Sequence, residues 1–327
     1  MGHTFLFSKC PLYAKFCLTL QKPAQKMEKT HKPKPFVKWA GGKGNLLTEL
    51  DKLLPANFDE LENVTYIEPF VGGGAMLFYM LNNYKNISRV VINDINPDLI
   101  KCYQLIRDEP HTLIALLKAI ENDFYSHDVH NRKIVYYEYR KRYNSVNLND
   151  NERAAIFIFL NHTCFNGLYR VNSLGQFNVP FGRYKSPIIC NEDTILADHD
   201  LLSSVQLIIR KPGDYKLATR HINPVHSNFI YFDPPYRPLS NTSYFKEYSN
   251  SPFGDEQQRE LKSLCDNLTR RGCQIMVSNS DSKNDDGTSF FETLYEGYSF
   301  DRIYAPRFIN AHPIKRKKIQ EVVIRNY

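Results

Sequence analysis

Three consecutive glycines, Gly72-Gly73-Gly74, follow a short apolar run at Thr65 to Glu68 and precede a helical pattern that continues through Leu81. A glycine run between a strand and a helix lets the backbone turn sharply and lets a ligand approach the main chain. Arg89 to Asn93 reads as the next strand, and Asp94 stands at its tip. Together these segments predict a β-turn-α-β unit, which commits the chain to an α/β fold. An acid about 20 residues after the glycine turn suits a ribose diol, although a plain glycine turn satisfies the same local pattern. Leu77 takes the third glycine position of the dinucleotide pattern, and that argues against a dinucleotide.

A second constraint lies at residues 231 to 236, Tyr-Phe-Asp-Pro-Pro-Tyr. An apolar run from Asn228 to Phe232 ends in Asp233, Pro234, Pro235 and Tyr236. Two prolines hold φ at about −65° and donate no N–H, so this chain cannot continue as a central strand. Their carbonyls stay free to accept. Asp233 and the Pro234 carbonyl can each take one N–H of an exocyclic amino group while Tyr236 covers the ring. An ordinary strand-to-loop corner uses the same dipeptides.

The remaining chain divides around these two corners. Phe36-Val37 leads through Lys38, Trp39 and the Gly41-Gly42 turn to Lys43 and an amphipathic helix over Asn45 to Leu54. Asn96 to about Asn147 is helical in pattern, and Asn151 to Leu160 is a further apolar run. Phe165 to Arg170 and Gln176 to Lys185 flank Asn172-Ser173-Leu174-Gly175 and predict a hairpin rich in aromatic, amide and guanidinium groups. Such groups stack on bases and reach their edges, but a hairpin facing only water has the same composition. Strands at Val205 to Ile209, Phe229 to Phe232, Gln274 to Ser278 and Ile319 to Ile324, with a helix over Asp255 to Arg270, resume the α/β alternation.

Charge is unevenly spread. Residues 1 to 43 hold nine lysines and one acid, a balance of +8, whereas the whole chain carries +7. The folded body is therefore close to neutral, and basic patches such as Lys315 to Lys318 are more often solvated than phosphate-bound. Seven cysteines without a C-x-x-C pair fit reduced thiols in a cytosolic protein, with no metal cage. No apolar run reaches the roughly 20 residues that span a bilayer. Phe5 to Leu20 is interrupted by Lys9, Pro11 and Lys15 and is not read as a signal peptide; Met27 offers an alternative start.

In order, Lys-Trp-Ala-Gly-Gly-Lys (38 to 43), Glu-Pro-Phe-Val-Gly-Gly-Gly (68 to 74), Asn-Asp (93 and 94), Phe-Asn-Gly-Leu (165 to 168), Phe-Asn-Val-Pro-Phe-Gly-Arg-Tyr-Lys (177 to 185), Asp-Pro-Pro-Tyr (233 to 236) and Lys-Lys (317 and 318) span nearly all of Pro35 to Tyr327. This series resembles the Dam-type DNA adenine-N6 methyltransferases, including GATC-specific methylases of restriction systems. The resemblance implies a Rossmann-like S-adenosylmethionine-dependent methyltransferase sheet with an inserted helical plus β-hairpin target-recognition domain. Its expected boundaries are a flexible basic arm at 1–34, a catalytic domain at 35–96 and 195–327, and a target-recognition domain at 97–194.

The same resemblance implies site roles. Trp39, Lys43, Glu68, Phe70, Gly72 and Gly74 would line the donor pocket with Asp233, Asp94 would bind the ribose, and Asp214 and Tyr215 would contact the donor's adenine. Asp233, Pro234, Pro235 and Tyr236 would form the catalytic corner. Lys38 and Arg170 would read guanine and neighbouring bases, Phe165 and Asn166 would enter the stack, Leu168 and Pro180 would meet thymine methyls, and Arg183 and Tyr184 would complete the DNA site. Leu174-Gly175 departs from the basic residue that the family pattern leads one to expect there.

The implied activity is methyl transfer from S-adenosylmethionine to adenine N6 in double-stranded DNA, with GATC preferred, a restriction endonuclease as functional partner and no metal. Open alternatives are a related target sharing GAT, cytosine-N4 as acceptor, and a sequence-specific DNA-binding protein without catalysis. Oligomeric state is not legible.

Overall fold

A computed structural model describes residues 31–220, 222, 227–239, 253–305 and 319–327. Among these residues seven strands form a single sheet: β1 (Val64–Glu68), β2 (Ile87–Ile92), β3 (Gln206–Ile209), β4 (Asn228–Phe232), β5 (Gln274–Ser280), β6 (Ser299–Ala305) and β7 (Ile319–Arg325). Their order is β3-β2-β1-β4-β5-β7-β6. The first five are parallel, β7 runs antiparallel to β5, and β6 runs antiparallel to β7. The expected α/β methyltransferase-type sheet is therefore present.

All five residues of β1 and of β4 are buried, which is why both read as continuous apolar runs. Alternate side chains serve the two faces. Tyr66, Val90, Ile92, Phe229, Tyr231 and Met276 join the larger core, while Ile67, Val91, Ile230, Phe232, Ile275 and Val277 face the other layer. The second layer contains Leu261, Cys265 and Leu268 of the Asp255–Arg270 helix.

Among the described residues the α-helices are α1 (Leu47–Asp51), α2 (Ala75–Asn83), α3 (Pro97–Asp108), α4 (Pro110–Ser126), α5 (Arg132–Tyr143), α6 (Asp150–Thr163), α7 (Glu192–Ser203), α8 (Asp255–Arg270) and α9 (Phe290–Leu294). The long helical expectation after Asn96 resolves into three helices. Pro110 opens α4, because a proline serves a first turn and breaks an interior. At α3 the Asn96 side chain accepts from the Asp98 and Leu99 amides, with Pro97 at the first position. The helix expected at 45–54 is shorter, and α7 and β6 had no counterpart in the sequence reading.

The predicted hairpin is held without continuous strands. Isolated bridges pair Cys164 with Phe181 and Val171 with Phe177, and the Gly175 amide closes the turn on the Asn172 carbonyl at 2.9 Å. Asn144, just after α5, takes the place of a neighbouring strand: its Oδ1 accepts from Phe177 N at 2.9 Å and its Nδ2 donates to Phe177 O at 3.0 Å. Tyr136 and Arg140 of α5 donate to the Val179 carbonyl. Lys32–Tyr327 form one compact unit that includes both the sheet and these helices. Residues 1–30 and Lys315 to Lys318 lie outside the described residues.

Candidate functional site

Four candidate corners stand at the carboxyl ends of four parallel strands. Phe70 and the glycines follow β1, Asp94 follows β2, Asp214-Tyr215 follows β3, and Asp233 follows β4. The order reverses between β1 and β4, and ligands of open α/β sheets bind at such a switch point.

The Asp94 carboxylate knits the first two corners together. Its Oδ2 accepts from the Gly72 amide at 3.0 Å and its Oδ1 from the Asn96 amide at 2.9 Å, which places the acid at the root of α3. Burial raises its pKa, and the two backbone donors oppose that rise. Asp94 O also accepts from Gly213 N at 3.1 Å, and Asn93 Nδ2 donates to Lys211 O at 3.0 Å. These bonds bring the β3 corner beside the β2 corner. Tyr215 then stacks on Phe70 with ring centroids 5.0 Å apart.

Gly72 shows why its position excludes a side chain. Its φ is +50°, and a Cβ would lie 2.7 Å from Trp39 Cδ1 and 2.9 Å from Nε1. The Trp39 ring therefore rests on the glycine turn, while Gly74 opens α2. Glu68 is buried, accepts from Tyr66 Oη at 2.7 Å, and has a pKa raised well above the carboxylate range by burial, the Asp233 and Asp94 charges adding to that rise. Among the described residues, Tyr215 Oη and Asn93 Oδ1 are buried polar atoms without a hydrogen-bond partner. A glycine cradle, a paired ring and unsatisfied polar atoms fit a nucleoside bearing an amino-acid chain.

At the β4 corner, Lys43 Nζ lies 3.0 Å from Asp233 Oδ1, 3.9 Å from Glu321 Oε2 and 4.5 Å from the Tyr236 ring centroid. Tyr236 Oη donates to Glu321 Oε2 at 2.7 Å. Burial pushes the Asp233 pKa up to about 6, and Lys43 restrains the rise. The Pro235 carbonyl accepts from Gln258 Nε2 at 3.1 Å. Arg237, held by Asp255 at 2.9 Å and by Asn279 Oδ1 at its amide, anchors the chain beyond the corner.

The candidate DNA residues gather elsewhere on the same unit. Lys38, Phe165, Asn166, Leu168, Arg170, Pro180 and Arg183 are exposed, and Tyr184 is half-buried. Lys38 Nζ lies 4.5 Å from the Tyr184 ring centroid, Phe165 N donates to Pro180 O at 2.8 Å, and Arg170 Nε donates to Asn178 Oδ1 at 2.7 Å. Phe165 keeps 51% of its surface exposed, which leaves its ring accessible to a base. The two clusters meet at Trp39, whose ring stacks on Tyr169 with centroids 5.8 Å apart. A separate cavity of about 520 Å³, lined by Phe36, Val37, Leu117 and Ile158, touches Lys38 but neither Asp94 nor Asp233.

Sequence reasoning missed several participants. Ile95 is 73% exposed directly after Asp94, Phe253 packs edge-on to Phe70, and Glu321 lies 85 residues beyond Tyr236. The apolar residue following the acid was a readable signal for Ile95. No sequence signal marked Glu321, since it reaches the corner only through the pairing of β7 with β5.

Comparison with known proteins supplies a family. The sequence model of the D12 class N6 adenine-specific DNA methyltransferases matches residues 39–307. The chain is 43% identical over 298 residues to the type II methyltransferase M.MjaIII of Methanocaldococcus jannaschii, covering 90% of this chain and 99% of that protein. It is 36% identical over 297 residues to the type II methyltransferase M1.LlaDCHI of Lactococcus lactis subsp. cremoris, covering 90% and 95% of the two chains. It is 30% identical over 292 residues to the DNA adenine methylase of Escherichia coli K12, covering 89% and 95%.

Proposed function

Because this chain belongs to the D12 class N6 adenine-specific DNA methyltransferases, we propose that it methylates adenine N6 within GATC in double-stranded DNA, using S-adenosylmethionine. The observation that carries this reading is the meeting of the Gly72–Asp94 cradle and the Asp233 corner at adjoining strand ends. The donor would supply a methyl group on a sulfonium. Trp39 and the Gly72 to Gly74 turn, with Glu68 beneath them, shape its pocket, Asp94 offers its remaining lone pairs to the ribose diol, and Phe70, Asp214 and Tyr215 hold the adenine.

The target base must leave the duplex, and its unstacking costs a few kcal/mol. Tyr236 offsets this by stacking, worth about 1 to 3 kcal/mol per base. Phe165 and Asn166 fill the space in the stack. Asp233 and the Pro234 carbonyl then accept hydrogen bonds from the two amino N–H groups and draw the nitrogen lone pair out of the ring; the N–CH3 bond would form as the sulfonium S–CH3 bond breaks, and one amino proton would leave through Asp233 to solvent. This reading uses the carbonyl next to the one already taken by Gln258. Positioning and electrostatics carry the step.

Lys38 and Arg170 supply donors for guanine edges, and Leu168 and Pro180 offer apolar contact to thymine methyls. Arg183 and Tyr184 border the same surface. In this reading residues 97–194 act as the target-recognition part. Two relatives are named type II methyltransferases, and our reading extends to a restriction-system methylase that acts beside a restriction endonuclease in the cytoplasm.

Expression in a host devoid of adenine methylation, followed by genome-wide mapping of modified bases, tests the proposal. N6-methyladenine confined to GATC supports it. Methylation at another sequence overturns the target, and modified cytosine overturns the acceptor.

A further inference from the structure

Lys38 lies in a short segment that belongs to no helix or strand, yet a base-reading side chain needs a fixed backbone. The side chain of Asn161 provides it. Asn161 sits near the end of α6, is 2% exposed, and accepts from Lys38 N at 2.8 Å while its Nδ2 donates to Lys38 O at 2.7 Å. One amide thus pairs with both polar groups of one residue, as a neighbouring strand would.

The second Nδ2 hydrogen goes to Gly167 O at 3.0 Å. Gly167 presses against the same lysine: its φ is +62°, and a Cβ there would lie 2.6 Å from both Lys38 Cβ and Lys38 Cδ. Gly167 belongs to the 3-10 turn that starts with Phe165 and Asn166. The Asn161 amide therefore ties the Lys38 backbone and the 165–167 turn to one helix. Trp39, the next residue, rests on Gly72.

We infer that Asn161 is a positioning residue for sequence recognition, holding Lys38 in register with the Phe165–Gly167 turn while touching no base itself. This rests on the reading of Lys38 as a guanine contact. A bidentate clamp acts on specificity because the Lys38 Nζ must meet one base edge within hydrogen-bond range; freed backbone lets it serve several bases equally.

The test compares Asn161→Ala, Asn161→Asp, Lys38→Ala and the Asn161→Ala/Lys38→Ala double variant on duplexes holding the mapped target or one base substitution at each position. Asp keeps the acceptor for Lys38 N but loses both donations. The readout is the ratio of kcat/KM for the target over each substituted duplex, which is independent of the folded fraction; donor titration reports that fraction separately. Asn161→Ala should lower discrimination at the base read by Lys38 by about fivefold or more, the size of a lost base contact. Ratios at other positions should stay within about twofold, and the double variant should discriminate no worse than Lys38→Ala alone.

Equal loss at every position would make Asn161 merely structural and overturn the inference. Full discrimination in Asn161→Ala, with loss in Lys38→Ala, would also overturn it and leave the reading of Lys38 standing. Full discrimination in Lys38→Ala would remove that reading and the inference with it.

Discussion

Lys43 Nζ lies 3.0 Å from Asp233 Oδ1 and 4.5 Å from the Tyr236 ring centroid, so an ammonium occupies the corner proposed for the target amino group. Both the carboxylate and the ring face favour positive charge there. A corner that holds an ammonium between an acid and an aromatic face is suited to a reaction that develops positive charge on nitrogen.

The Asp233 pKa sets a pH limit. Burial raises it to about 6, and only the ionised acid accepts an amino proton as a full acceptor. We expect kcat/KM to be level above that value and to fall about tenfold per unit below it. Lys43→Met removes the restraining charge and should move the midpoint upward. Stability runs the other way. A carboxyl whose folded pKa is raised binds more protons folded than unfolded, so its contribution is full below the ordinary carboxylate range and lost as pH rises through about 6. A pH–rate profile with parallel thermal melts checks both signs.

Gly72→Ala should damage donor binding before DNA binding. The new Cβ meets the Trp39 ring at 2.7 Å on a backbone with φ at +50°. A stability loss of about 1 to 3 kcal/mol is expected from overpacking and strain. Calorimetric donor titration should show affinity reduced by about tenfold or more, about 1.4 kcal/mol, with DNA affinity in the absence of donor changed far less.

Tyr236→Phe and Tyr236→Ala separate ring from hydroxyl. Phe keeps the stacking face and loses the 2.7 Å bond to Glu321 Oε2. Ala loses both, and the extruded base loses about 1 to 3 kcal/mol of stacking. Fluorescence of a 2-aminopurine placed at the target position should show extrusion retained by Phe and strongly reduced by Ala.

Asp198 should make the fold less stable in alkali. It is fully buried in α7, its Oδ1 accepts from Lys34 N at 2.9 Å, and burial pushes its pKa to about 8. Its Oδ2 has no hydrogen-bond partner among the described residues. The folded state holds this proton where the unfolded chain has released it, so stability falls from the ordinary carboxylate range up to about 8. Asp198→Asn keeps an acceptor for Lys34 and has no proton to lose. Its melting temperature relative to the parent should rise as pH is raised from about 5 to about 9.

Much of the sheet was readable because its central strands are buried on both faces and punctuated by Gly72 to Gly74, Asp94 and Pro234-Pro235. β6 was not. It lies at the sheet edge, where Asp301 and Arg302 pair with Arg325 and Asp281, so two adjacent charges interrupt Phe300, Ile303 and Tyr304 and break the apolar run. The hairpin was readable from its turn and aromatic spacing. Its actual support was hidden, because Asn144 and Asn161 replace ladder bonds with side-chain amides, and nothing distinguishes such an amide in sequence from a solvated one.

Local chemistry along the chain determined the β-turn-α-β unit, the proline corner after β4 and the residue types proposed to serve a donor, an amino group and a base. Those features depend on backbone stereochemistry and side-chain period, which act over a few neighbours. Tertiary structure alone decided that Glu321 would receive the Tyr236 hydroxyl, that Lys43 would stand against Asp233, and that Asn161 would hold Lys38 from 123 residues away. Such pairings arise only when β7 enters beside β5 and α6 packs beneath the Lys38 segment. Buried polar groups then take whichever partners the packed chain brings within reach.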